Sequence, residues 1–309
     1  SCCAARRSRT SRSVSVCSNL LSDELRDGYL KDVKSEYERV RRQHQDKKGP
    51  ELIPLDKARA NALRTDWTEY VPPPPEQSGV KVLKNYDLAE IAQYIDWQPS
   101  FQTWDLHGPF PAILTDPVVG DSATKVFADG QALLKRVIDG RWLTANAIVS
   151  FYPANTVNDD DIEVYTDESR TETLFTWNNL RQQTVKREGV DNKCLADFIA
   201  PKSTGIKDYI GMFAVTAGLG IEKWEAQFEK DNDDYTSIML KAIADRLAEA
   251  FAECMHVRVR QDLWGYVPDE ALNNEALIRE EYVGIRPAPG YPACPDHSVK
   301  RAMFGVVAG

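Results

Sequence analysis

The residues best suited to chemistry lie near the end of the chain, in Gly284-Ile285-Arg286-Pro287-Ala288-Pro289-Gly290-Tyr291-Pro292-Ala293-Cys294-Pro295-Asp296-His297. Each proline fixes φ and removes a backbone donor, so this composition excludes a helix interior and a central strand. It predicts a stiff, extended loop that costs little entropy to order on binding. The loop carries one strong cation, Arg286, and one large ring, Tyr291. A guanidinium fork matches a carboxylate or phosphate in two parallel hydrogen bonds, which makes Arg286 a candidate anchor for the anionic end of a ligand. The plain alternative is a proline-rich surface turn with an exposed arginine.

Three carboxylates are further candidates. Asp87 to Ile95 reads as a helix with an N-cap and apolar positions three and four apart, ending at Asp96-Trp97-Gln98-Pro99. Asp96 then sits at a helix C-terminus, where the dipole disfavours an anion. It wants a cationic partner, or it is a capping or loop aspartate. Asp245 and Glu249 lie four apart on a long predicted helix and share its polar face, placed either for acid/base work or for pairing with Arg246, Arg258 or Arg260. Asp159-Asp160-Asp161 lacks the glycine and distal glutamate of a calcium loop and reads as a solvated turn.

The elements that must position these groups follow from periodicity. Ser22 to about Asp46 reads as one long charged amphipathic helix, stopped by Lys47-Lys48-Gly49-Pro50. Leu55 to Thr65 contains a short helix, Val71 to Pro75 a polyproline spacer, and Val80 to Leu83 a short strand. Amphipathic spacing predicts a helix over Ser122 to Ile138 and the longest core helix over Asp234 to Leu263. Strands are expected at 147–152, 162–165, 194–200 and 209–218. Thr171 to Leu180, followed by Arg181-Gln182-Gln183-Thr184, reads as a helix end bonding its own loops. A last helix, Leu272 to Tyr282, delivers the chain to the proline-rich loop.

The 309 residues, 42% of them hydrophobic, suffice for one large or two modest domains with a sizeable core. A formal net charge of -9 argues against a nucleic-acid surface. Six cysteines without a CxxC pair or compact zinc spacing exclude an evident metal site and point to a reducing cytoplasm. The sequence contains neither an apolar membrane span nor the apolar core of a secretory signal.

The run Arg-Pro-Ala-Pro-Gly-Tyr-Pro-Ala-Cys-Pro-Asp-His resembles the S-adenosylmethionine-binding loop in the C-terminal activation domain of cobalamin-dependent methionine synthase. The resemblance extends through Tyr94-Ile95-Asp96-Trp97, Phe151-Tyr152-Pro153-Ala154-Asn155, Leu180 to Thr184, Cys194 to Phe198 and Ala244 to Phe251, and covers roughly Ser11 to Phe304. It implies that Arg286 holds the methionine carboxylate and Asp96 the ammonium end. Pro287, Ala288, Pro289, Gly290 and Tyr291 would hold the rest, and Asp245 and Glu249 would line the same side. No protein base or nucleophile is implied. His107 does not match the Asp-x-His-x-x-Gly pattern that supplies a cobalamin ligand, because Phe110 stands where glycine is needed, and it reads as a loop or core histidine.

The resulting expectation is an α+β fold, a strongly bent antiparallel β-sheet with surrounding helices, preceded by a long linker helix. Residues 1–10 do not resemble the family and read as a false start. Residues 11–70 would form an interdomain linker and 71–309 the activation domain, with a C-terminal part of the family pattern missing after Phe304. The implied role is reactivation of methionine synthase: S-adenosylmethionine methylates cobalamin, held by another domain of the parent chain, while a flavodoxin-like protein supplies an electron. The alternatives are a non-catalytic S-adenosylmethionine-binding clamp on the cobalamin domain, and an inert fragment.

Overall fold

The structure, a computed structural model, describes residues 16–45 and 49–307. The segment 1–10 and the Lys47-Lys48 part of the first helix stop lie outside the described residues. Helix α1 (Arg26–Gln45) bears charges on most of its circumference, and its side chains from Arg26 to Arg42 are largely exposed. The chain then runs α2 (Leu55–Ala60), β1 (Gly79–Leu83), α3 (Leu88–Ile91), α4 (Gln98–Gln102), α5 (Gly120–Asp139), β2 (Thr144–Val157), β3 (Asp161–Tyr165), β4 (Thr173–Asn178), β5 (Asp208–Leu219), α6 (Ile221–Lys230), α7 (Asp234–Arg258), α8 (Asn274–Ile278) and α9 (Val299–Val307).

The five strands form one antiparallel sheet centred on the long β2. The N-terminal half of β2 lies between β1 and β5, and its C-terminal end pairs with β3, which in turn pairs with β4. Because successive strand residues face opposite ways, β2 serves two cores. Ala145, Ala147, Val149 and Phe151 face one cluster, together with Leu240, Ile243, Leu247, Phe251 and Leu263 from α7 and its extension. Ala154, with Ile210 and Met212 of β5, faces a second cluster that includes Ile162, Trp177, Cys194, Cys294 and Val299.

Helix α7 forms for local reasons as well. Asp233 caps its start by accepting a hydrogen bond from the Thr236 amide at 3.0 Å, and apolar residues recur at 240, 243, 247, 250, 251 and 254. Burial of a side chain such as Phe251 or Leu247, both fully enclosed, contributes about 1.5–3 kcal/mol. The helix continues into a π-helical turn, Val259–Leu263.

Four local expectations are corrected. Cys194 to Ala200 is not a strand: Leu195–Phe198 is a 3-10 turn closed by Asp197, which accepts from the Cys194 amide at 2.9 Å. The helix expected over 272–282 is confined to Asn274–Ile278. Thr173–Asn178 is a strand rather than the end of a helix. Asp160 is no solvated turn residue; it is buried and accepts from Arg181 Nε at 2.7 Å.

Residues 51–64 are fastened to the body. Ile53 N donates to Gln183 O at 2.8 Å and Val185 N to Glu51 O at 2.9 Å. Arg59 Nε reaches Asp160 at 2.7 Å, and Asn61 Nδ2 reaches Asn192 Oδ1 at 2.8 Å.

Candidate functional site

The proline-rich loop begins beside α7 on one face of the sheet and ends with Cys294 in the core of the other face. Its turn is tight: Gly290 N donates to Cys294 O at 2.8 Å, and Cys294 N to Tyr291 O at 2.9 Å. Gly290 adopts φ 107°, and a Cβ there would collide with the His297 ring, so glycine is required twice over. Tyr291 is exposed. The loop's rigidity thus comes from its own turn and from the buried Cys294 anchor.

Arg286 is half-buried and makes one side-chain hydrogen bond among the described residues, from Nη2 to Glu253 Oε2 at 2.8 Å. Glu253 is on α7, four residues after Glu249 and eight after Asp245, and the three carboxylates therefore line one face of the helix. At about 1.5 Å rise per residue the row spans about 12 Å along the axis. Asp245 and Glu249 are exposed, whereas the Glu253 side chain is only 13% exposed. Burial raises the Glu253 carboxyl above its ordinary range, and Arg286 and Arg260 oppose that rise.

The pairing of Asp245 and Glu249 with nearby arginines is not found. Arg258 is bonded to Asp262, and Arg260 is bonded through Nε and Nη2 to Glu270. That leaves the Asp245 and Glu249 carboxylates free of any ion pair among the described residues.

Asp96 sits between two helical segments, after the 3-10 turn Ala92–Tyr94 and before α4. Its Oδ1 accepts from Gln98 N at 2.9 Å. The carboxylate thus caps the turn that follows it, and the dipole argument changes sign: the nearby amides favour the anion rather than oppose it. The adjacent Ile95 carbonyl accepts from Asn274 Nδ2 at 3.2 Å. Tyr94 lies close enough to Glu253 and Arg260 for both to act on its phenol, which burial raises. The segment Tyr94–Asp96, the C-terminal part of α7 and the start of the proline-rich loop therefore meet in one region.

Behind this region is a fixed base. Arg260 lies with its guanidinium 4.4 Å from the centre of the Tyr282 ring, and Tyr282 meets His256 edge-on at 4.7 Å. Burial, reinforced by Arg260 and Arg286, pushes the His256 imidazole down to about 3, so it is neutral. Several buried polar atoms here have no partner: Glu253 Oε1, Arg286 Nε, Arg260 Nη1, His256 Nδ1 and Asn274 Oδ1. Unsatisfied buried polar groups are rare in folded proteins and mark places where a ligand or water belongs.

His107 is exposed in a loop. Arg181 joins the β2–β3 turn to the 3-10 turn at Leu195–Phe198 through Asp160 and Asp197. No cluster of three metal-ligating side chains occurs among the described residues, and none of their helices is long and apolar enough to cross a membrane. Glu253, which sequence reasoning missed, was signalled only by its four-residue spacing from Glu249.

The family described as vitamin B12 dependent methionine synthase, activation domain, matches residues 87–308, running past Phe304, where the resemblance in the sequence was expected to end. A crystal structure of the MetH reactivation domain bound to AdoHcy shares 48% sequence identity, covers 84% of this chain and 79% of that chain, and superposes with a TM-score of 0.78. Matched over most of its length in sequence and in fold, the chain belongs to the activation-domain family of vitamin B12 dependent methionine synthase.

Proposed function

We propose that this chain binds S-adenosylmethionine and presents it for reductive methylation of cobalamin held by another domain of a methionine synthase. The observation that carries the reading is the Arg286 side chain, 29% exposed, singly bonded and fixed at the start of a rigid loop beside a row of carboxylates. A zwitterionic, positively charged ligand needs that pairing of one cation with several anions. Arg286 binds the carboxylate, Asp96 the ammonium end, and the Pro287, Ala288, Pro289 and Gly290 backbone with Tyr291 the remainder. Asp245 and Glu249 supply negative potential toward the sulfonium side.

The sulfonium is already a good leaving group and reduced cobalt already a strong nucleophile, so the chemistry belongs to the bound partners. This chain's residues position the methyl group, which is where proximity lowers the barrier. The parent enzyme's cobalamin domain and a flavodoxin-like electron donor are the proposed partners. Residues 11–70 are proposed as the interdomain connection, with 51–64 as its fastened end.

The test is transfer of labelled methyl from S-adenosylmethionine to cob(I)alamin carried on a methionine synthase cobalamin domain. Acceleration over the same mixture without this chain supports the reading. Saturable binding without acceleration supports a clamp that holds the ligand only.

A further inference from the structure

The contact between Arg286 and Glu253 is incomplete in an informative way. A guanidinium and a carboxylate in contact frequently close two parallel bonds. Here only Nη2 and Oε2 are joined, at 2.8 Å, while Arg286 Nε and Glu253 Oε1 are both buried without partners. Glu253 is more deeply enclosed than the arginine it holds, 13% against 29% side-chain exposure. Its position on α7 is fixed by the core residues Ala250, Phe251 and Cys254 on either side of it in sequence. The neighbouring Arg260 makes no hydrogen bond to Glu253: its Nε and Nη2 are bonded to Glu270 and its guanidinium lies over the Tyr282 ring.

From this geometry we infer that Glu253 is a positioning residue: it holds the Arg286 guanidinium by one edge and aims its remaining nitrogens at the carboxylate of the ligand. The inference rests on the S-adenosylmethionine reading and extends it to a residue that touches no ligand atom. An arginine on a loop has several rotatable bonds, and fixing it before binding removes an entropy cost that would otherwise reduce affinity. The arrangement also sets selectivity. Only a ligand that carries a carboxylate at the right distance benefits from the aimed fork, and one that lacks it gains nothing from Glu253.

Calorimetric titration of the wild-type chain, Glu253→Ala and Glu253→Gln with two ligands tests this. S-Adenosylmethionine carries the carboxylate; 5′-methylthioadenosine lacks the whole amino-acid end. Glu253→Ala is expected to weaken S-adenosylmethionine binding about tenfold or more, the scale of one charge-assisted hydrogen bond, with methylthioadenosine binding unchanged. Glu253→Gln keeps an acceptor of the same shape and is expected to restore most of the loss; it also serves if the alanine variant fails to fold. Equal weakening for both ligands would mean a merely structural role and overturn the inference. Tighter S-adenosylmethionine binding by either variant would overturn it too, because Glu253 would then be competing for the guanidinium. Failure of the wild-type chain to bind S-adenosylmethionine would instead defeat the functional reading, and this inference with it.

Discussion

Two arginines, Arg181 and Arg286, show how one residue type serves two purposes in this molecule. The Arg181 side chain is 1% exposed, and each of its nitrogens has a partner: Nε to Asp160, Nη1 to Asn192 O and Asp197, Nη2 to Asp197 and Asp159 O, at 2.6–3.3 Å. It ties the β2–β3 turn to the 3-10 turn at Leu195–Phe198, and Arg59 joins through the same Asp160. Arg286 has one bond, a partly exposed head and an unpartnered nitrogen. A fully satisfied cation has nothing left to offer a ligand and serves the fold, whereas a partly satisfied one held on a rigid loop retains its binding capacity.

Substitutions at the two positions should separate these roles. Arg181→Met leaves the buried Asp197 carboxylate without its cation and Asp160 with Arg59 alone, and removal of one partner from a buried ion pair costs about 3–5 kcal/mol. Urea denaturation should register a loss of that size. Arg286→Ala should cost about 1–2 kcal/mol of stability, since Glu253, already raised above its ordinary range, can take a proton in place of the pair. Comparable losses at both positions would collapse the distinction.

The base behind Arg286 should show itself in acid. His256 titrates near 3 in the folded chain and near its ordinary 6.5 when unfolded. Below the unfolded value the unfolded state binds a proton that the folded state refuses, so this group's contribution to stability falls as pH drops from 6.5 toward 3. Glu253, raised rather than lowered, acts in the opposite sense as pH falls through its raised value toward its ordinary one. Comparison of His256→Asn with wild type isolates the histidine: the variant should lose less stability between pH 6 and pH 4, by about 1 kcal/mol or more. The smallest effect belongs to the exposed carboxylates. Asp245→Asn and Glu249→Gln should each change stability by no more than about 0.5 kcal/mol, and any larger consequence should appear only in ligand binding.

The same contrast explains what could be read from the sequence. Helix α7 was legible because the apolar residues from Leu240 to Cys254 keep a helical period. The rigidity of the loop and the candidacy of Arg286 were legible because proline and glycine act locally. The Arg181 centre was not, because its partners Asp160 and Asp197 are distant in sequence and a lone arginine in a polar run gives no sign of burial. Cys194 to Ala200 misled for another reason: a short apolar run has no periodicity that separates a strand from a turn, and Asp197 closing back on Cys194 decided the matter. Asp96 was placed at the correct break in the chain, yet its partner amide lies in the helix that follows, and only the fold fixes which helix a boundary residue serves.

Calorimetric titration of S-adenosylmethionine into the wild-type chain and into Arg286→Ala tests the central claim most directly. The account predicts saturable binding by the wild type and a loss of about thirtyfold or more in a variant that still unfolds cooperatively, on the scale of a bidentate charge-assisted contact. Unchanged binding by Arg286→Ala, or none by a cooperatively folded wild-type chain, would contradict it.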